Sequence, residues 1–257
     1  MSIARKLAAW FLFPALLIAL WWISTIVSPN FFVPSPPVLL EKFLTVWVGE
    51  RFLIDVVPSV GRLLLGLGIS IVLGVVLGVF IGLIRPLRWA LEPLLEFIRA
   101  IPSAILIPVL LLIIGINDSM KVTVIVLGCL WPILLNTIEG VRSLDEVMLN
   151  VAKVYGITGW KRMRHLILPG ISPHIMVGVR HSLAVGLILM VVSEMFASTE
   201  GIGYSIMNFQ NRIAIPEMWS GIVLLGIVGV LLSTAFQLTQ KRILHWYYGL
   251  KETSNDN

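Results

Sequence analysis

Charge is what this sequence has least of. Charged residues are 13% of the 257, hydrophobic residues 58%, and mean hydropathy is +0.95. A water-soluble domain carries roughly a quarter charged residues, so much of this surface faces something other than water. Apolar runs of about twenty residues recur, each long enough to cross a bilayer as a helix, which argues against a soluble bundle. Cysteine is nearly absent: Cys129 alone, in an apolar run, rules out an internal disulfide and leaves redox compartment unread. No Gly-x4-Gly-Lys-Ser/Thr phosphate loop occurs, so nucleotide chemistry has to belong elsewhere. The four histidines, His165, His174, His181 and His245, do not cluster and lack carboxylate or cysteine company. They offer no metal site and no catalytic set, and the chain does not read as an enzyme. A small-x-small cleavage site is missing after Leu7–Val27, so Arg5, Lys6 and that stretch read as a retained first span.

What is present is a polytopic pattern. Six spans are expected, at Trp10–Val27, Leu63–Ile84, Ile98–Ile114, Val122–Ile138, Pro173–Phe196 and Trp219–Leu238. With the N-terminus inside, the cytoplasmic segments hold Arg5, Lys6, Arg85, Arg88, Arg99, Arg142, Lys153, Lys161, Arg162, Arg164, Lys241, Arg242 and Lys251. The outer segments hold Lys42, Arg51, Arg62, Lys121 and Arg212, and Arg180 falls inside a span. Thirteen against five is the asymmetry of an N-in, C-in protein. It accounts for the net charge of +5 and the pI near 9.6 without nucleic acid. The expected fold is all-α: a first span and outer amphipathic segment over 1–61, a core over 62–240, and a cytoplasmic tail over 241–257.

Within the second span, Gly66, Ser70, Gly74, Gly78 and Gly82 place a small residue at every fourth position. On a helix these form a drifting stripe where another helix can approach closely; ordinary glycine enrichment of membrane helices is the alternative. Pro102 and Pro108 are expected to bend or open the third span. Pro34, Pro36 and Pro37 precede Val38–Val48, which fits a short interfacial helix, and 197–217 suits a re-entrant or surface-lying stretch. The tail after Tyr248 reads as disordered.

The inner loop from Gly140 to Ser172 is the most informative stretch. Ser143 and Glu146 fit a capping box, and Leu144, Val147, Met148, Val151, Val154 and Tyr155 follow at helical spacing. Gly156 suits a left-handed helix end. A second helix is expected from Trp160 to Leu168, with Pro169 stopping it and Ser172-Pro173 starting span five. Such a hairpin can dock into a partner, or it can lie on the membrane with its basic residues against anionic lipids.

Asn150-Val151-Ala152, three residues, Gly156, nine residues, Leu166-Ile167-Leu168-Pro169 resembles the loop signature of importer-type ATP-binding-cassette permeases, Glu-Ala-Ala-x3-Gly-x9-Ile-x-Leu-Pro. Asn150 replaces the glutamate, Val151 the first alanine and Leu166 the isoleucine. Arg99-Ala100-Ile101-Pro102, Gly115-Ile116, Val177-Gly178-x-Arg180, Ser193-Glu194-Met195 and Gly201-Ile202-Gly203-Tyr204 are similar to the branch importing sulfonates, taurine and nitrate. The resemblance runs from Arg62 to the sixth span. It implies a coupling helix, carried by Asn150, Val151, Ala152, Tyr155, Gly156, Leu168 and Pro169, seated in a separate ATPase subunit. It also implies no cofactor on this chain, with ATP and Mg on that partner. Two permease copies, two ATPases and a solute-binding protein in a bacterial cytoplasmic membrane complete the implied assembly.

Charged groups inside a span are costly and usually functional. Arg180 and Glu194 both fall in the fifth span, fourteen residues apart, or about 20 Å on a helix. They cannot pair with each other within one copy, and are expected on the pathway, at a gate or against a second copy. Arg180 snorkelling to headgroups is the alternative. An ion-coupled secondary transporter, the alternative function, would show inverted repeats and several mid-span ionisable groups; no repeat is found, and only the fifth span is rich in such groups.

Overall fold

A computed structural model describes residues 3–196 and 198–247, with side chains from residue 12 onward. The tail after Tyr248 lies outside the described residues. The described chain is helical almost throughout, in two compact units.

The first unit comprises the described residues up to Pro58 together with Thr199–Ile227. Helix α1 covers Ile3–Val27 and α2 covers Pro36–Trp47. Pro36 and Pro37 open α2, where the missing N–H groups cost nothing. Trp47 is buried; its indole N–H donates to Ser220 Oγ at 2.9 Å, and its ring meets Phe209 edge-on at 6.3 Å. Lys42 pairs with Glu217 at 2.9 Å, and that hydrogen bond and charge hold its ammonium above the ordinary lysine range. Helix α10, Ile202–Asn211, lies within the 197–217 stretch, with Ile202, Gly203, Ser205 and Ile206 buried.

The second unit comprises Ser59–Ser198 and the described residues from Val228 on. Its framework is α3 (Val57–Leu83), α6 (Asp118–Arg142) and α9 (Leu168–Phe196). A π turn at Phe52–Val56 leads into α3 without a break, so this helix begins eleven residues before the expected Leu63. The small-residue stripe of α3 lies against α6. A Cβ on Gly66 would sit 2.6 Å from Ile125 Cγ2, and one on Gly78 2.6 Å from Thr137 Cβ. Gly74 and Gly82 face Ile133 and Val141 in the same way, and Ser70 Oγ donates to Gly66 O and Val126 O. Between α6 and α9, Ser182 Oγ donates to Cys129 O at 2.6 Å while Cys129 Sγ lies 3.2 Å from Ser182 O. Close backbone approach, with polar groups bridging it, is how helices associate where burial in lipid gives no hydrophobic drive.

By length and apolarity, four helices can cross a membrane: Phe52–Leu83, Asp118–Arg142, Gly159–Phe196 and Ile215–Ile243, the last being α11. Helices α4 (Arg85–Ala100) and α5 (Ile107–Ile114) make a fifth if taken as one broken span, bent by 77°. Leu12–Val27 is apolar but shorter. The expected third span therefore has to be redrawn. Its first residues belong to α4, and the bend falls at Ile101-Pro102, whereas Pro108 sits harmlessly in the first turn of α5. Arg62 and Lys121, assigned above to outer loops, lie inside α3 and α6 and are buried.

Candidate functional site

The loop between α6 and α9 is built as two short helices. Helix α7 covers Glu146–Val154 and α8 covers Gly159–Arg162. The expected capping box is not made. Asp145 is the N-cap, accepting from Val147 N at 2.8 Å, while Ser143 ends α6, donating to Gly140 O and meeting His174 Nε2 at 3.2 Å. An aspartate two residues later in the chain takes the role because its carboxylate is a stronger acceptor for a helix start.

Tyr155 caps α7 at its C-terminus, and Gly156 follows with φ +68°. Gly156 N donates to Lys153 O and Ile157 N to Ala152 O, at 3.1 and 2.8 Å. These two bonds are a Schellman motif, which needs the left-handed residue that glycine supplies without strain. Gly159, φ +56°, makes a second left-handed turn three residues on.

Pro169 does not stop the second helix. A π turn at Met163–Ile167 joins α8 to α9, and helix continues unbroken from Gly159 to Phe196. Widening the turn before Pro169 gives its ring room against the preceding carbonyls. Pro173 also lies inside α9, and the carbonyl it leaves without an amide, Pro169 O, accepts from Ser172 Oγ at 2.7 Å. Ser172 thus repairs a helix interior instead of starting a helix.

The base of the loop is anchored. Ile167 and Ile171 are buried with Val79 and Val141, and Leu144, Met163 and Leu168 pack against them. Of the motif residues, Ala152 is buried, Leu168 and Pro169 half-buried, and Asn150 and Val151 exposed. Val147, Val151, Val154 and Tyr155 form one apolar face of α7, with Val154 85% and Tyr155 79% exposed. Trp160 is exposed beside it. A rigid base carrying an uncovered apolar face is the form of a docking surface.

Glu194 is fully buried in α9, yet it is not alone. Ser59 Oγ donates to both its oxygens, at 2.7 and 2.9 Å, and Arg62 Nη1 lies 3.1 Å from Oε1. Arg62 Nη2 also reaches Asp118 at 2.8 Å. Lys121 bonds Asp118 at 3.2 Å and Ser198 Oγ at 2.8 Å. Arg62 and Lys121, with Glu194 and Asp118, thus tie α3, α6 and α9 together. Close opposite charges and the hydrogen bonds between them are what make buried charge tolerable. Composition does not reveal this cluster, but spacing does: Asp55, Ser59 and Arg62 stand at i, i+4 and i+7, continuing the small-residue stripe upward along one helix face. Asp55, in the first unit, is likewise buried and accepts from Gly201 N at 2.9 Å and Ser205 Oγ at 2.7 Å.

Arg180 is exposed on α9, with no ion pair or side-chain hydrogen bond among the described residues. With Leu183, Leu187, Leu232 and Ser233 it lines a cavity of about 260 Å³.

Residues 70–245 match the model of the family described as binding-protein-dependent transport system inner membrane component. The chain belongs to this family. This permease is 34% identical over 261 residues to the aliphatic sulfonates transport permease protein SsuC of Escherichia coli, putatively so named, covering 97% of this chain and 96% of that one. The taurine transport system permease protein TauC of the same organism is 29% identical, covering 91% and 87%. The bicarbonate transport system permease protein CmpB of Synechococcus elongatus is 30% identical, covering 73% and 68%. The loop signature and these relatives place the permease in the ATP-binding-cassette importers, in the sulfonate and taurine branch.

Proposed function

We propose that this permease carries a small solute of the sulfonate, taurine or nitrate type inward, received from a solute-binding protein and driven by separate cassette ATPases that hold ATP and Mg. Two permease copies and two ATPases form the working unit in a bacterial inner membrane. Six spans, counting Leu12–Val27 and the bent α4–α5 pair, keep both termini in the cytoplasm. The observation that carries the reading is the uncovered apolar face of α7, set on an anchored base and closed by a glycine turn. Closure of an ATPase dimer moves whatever is docked there, and two-state rocking of the helices behind it follows. Arg180 supports the solute class: an exposed guanidinium in a span suits a planar or tetrahedral oxyanion. The relatives bear names of anionic or sulfonate-bearing solutes.

The test is uptake of labelled taurine, an aliphatic sulfonate and nitrate into vesicles holding the permease, its neighbouring ATPase and its binding protein. ATP-dependent uptake of at least one is expected. Replacing Val151 and Tyr155 together by glutamate should abolish both uptake and ATPase co-purification. Uptake driven by an ion gradient without any ATPase would instead establish a secondary transporter.

A further inference from the structure

The ends of α3, α4 and α6 and the start of the loop enclose a second cavity of about 260 Å³, lined by Arg85, Arg88, Arg142 and Arg162 with Glu146 and Leu149. Four guanidiniums face one small space. Glu146 takes Arg85 at 3.2 Å, and Glu139, outside the lining, takes Arg142 at 3.0 Å. Arg88 and Arg162 have no side-chain partner among the described residues. Moreover, Arg162 Nε is buried with nothing to donate to. A buried guanidinium N–H is seldom left so, and an unfilled one points to a group that belongs there. Two carboxylates leave a charge excess of two, so that group is an anion.

We propose that this cavity is an oxyanion site for a phosphate group, filled by the headgroup of an anionic phospholipid. Arginine favours phosphate because its planar fork donates two parallel hydrogen bonds. The location selects the lipid. The cavity opens where α3 and α6, both long enough to span a bilayer, come to an end, which would set it at the level of the headgroup phosphates. Arg162 belongs to α8, and Glu146 and Leu149 to α7, so a bound phosphate would bridge the loop to the membrane helices. The lipid would therefore brace the loop without covering the apolar face of α7. This inference rests on the chain's place in a membrane and not on its solute or its ATPase.

The experiment is lipid retention by the purified permease, read by native mass spectrometry after exchange into micelles spiked with phosphatidylglycerol or phosphatidylcholine. Wild type should hold phosphatidylglycerol and not phosphatidylcholine. Arg88→Gln with Arg162→Gln should weaken that retention roughly 10- to 30-fold, about three- to fivefold per arginine. Lys161→Gln with Arg164→Gln, which removes the same two charges from exposed sites outside the cavity, should change nothing, and neither should Arg164→Gln alone. Unchanged helical content and monodisperse elution check that both double variants fold. Equal losses from Lys161→Gln with Arg164→Gln would mean diffuse surface attraction and overturn the site. A second arm titrates inorganic phosphate in lipid-free micelles. Binding there, lost in Arg88→Gln with Arg162→Gln, with no phosphatidylglycerol retained, would overturn the lipid and leave a site for a free anion.

Discussion

At the scale of single residues, buried charge in this permease comes with partners. Glu194 is held by Ser59 and Arg62 inside one copy, so its carboxylate is a structural tie before it can be anything else. Removing one member of such a pair leaves the other buried and uncompensated, which costs about 3–5 kcal/mol. Glu194→Ala is therefore expected to lower the melting temperature in detergent sharply. Glu194→Gln, which keeps an acceptor for Ser59, should lose less. If Glu194→Ala melts like wild type while transport fails, the carboxylate serves a gate alone. The glycine stripe gives a second residue-scale prediction with opposite signs at neighbouring sites. A Cβ on Gly78 would also come within 3.0 Å of Leu134 O, a backbone atom that cannot swing aside, so Gly78→Ala should destabilise by about 1–3 kcal/mol. Gly68, ten residues earlier on the same helix, has nothing within 4 Å. Gly68→Ala should leave stability unchanged or raise it by up to about 1 kcal/mol through helix propensity. Similar losses at both positions would mean that α3 does not pack through its stripe.

Among the elements, the loop decides function, and Gly156 is its weakest substitution site. Space is not the difficulty there, because a Cβ would meet nothing within 4 Å; the backbone is, at φ +68°. Gly156→Arg adds roughly 1–2 kcal/mol of left-handed strain and sets a bulky charge beside the apolar face of α7. The variant should insert normally, and lose ATPase co-purification and uptake together at matched expression. A hairpin that merely rests on anionic lipid would accept another arginine without loss. The same loop shows what a sequence can reveal. The turn at Gly156 was legible because only one residue type does that work cheaply. The capping box was misplaced because Ser143, Asp145 and Glu146 all suit a helix start, and the charged acceptor of Asp145 is the one the helix uses. Pro169 misled for a related reason: proline reads as a stop, but a π turn ahead of it and the Ser172 hydroxyl behind it let the helix continue. Span boundaries failed where charge was taken as a mark of water. Arg62 and Lys121 ended helices on paper, although ion pairs with Glu194 and Asp118 carry them inside.

For the whole molecule, the question is what one copy leaves undone. Its cavities beside Arg180 and beside the loop arginines are about 260 Å³ each, and neither is a passage. Arg180 nonetheless stands exposed on a helix that is apolar enough to cross the bilayer. A guanidinium facing hydrocarbon is costly enough that such residues turn towards water, a partner or a headgroup. In a two-fold pair, a helix face that is exposed in one copy can look across a shared, water-filled pathway at its mate, and Arg180 then contributes a charge from each side. Native mass measurement of the functional complex should accordingly find two permease chains. Arg180→Cys should react with a charged, membrane-impermeant thiol reagent, and the transported solute should slow that reaction. The only native thiol, Cys129, is buried and should stay silent, so the signal reports position 180 alone. Snorkelling makes a different prediction: the short cysteine could not reach the headgroups, so labelling would be slow and indifferent to solute. One permease per complex, or labelling that solute never affects, would remove Arg180 from the pathway and with it the reason for a shared channel.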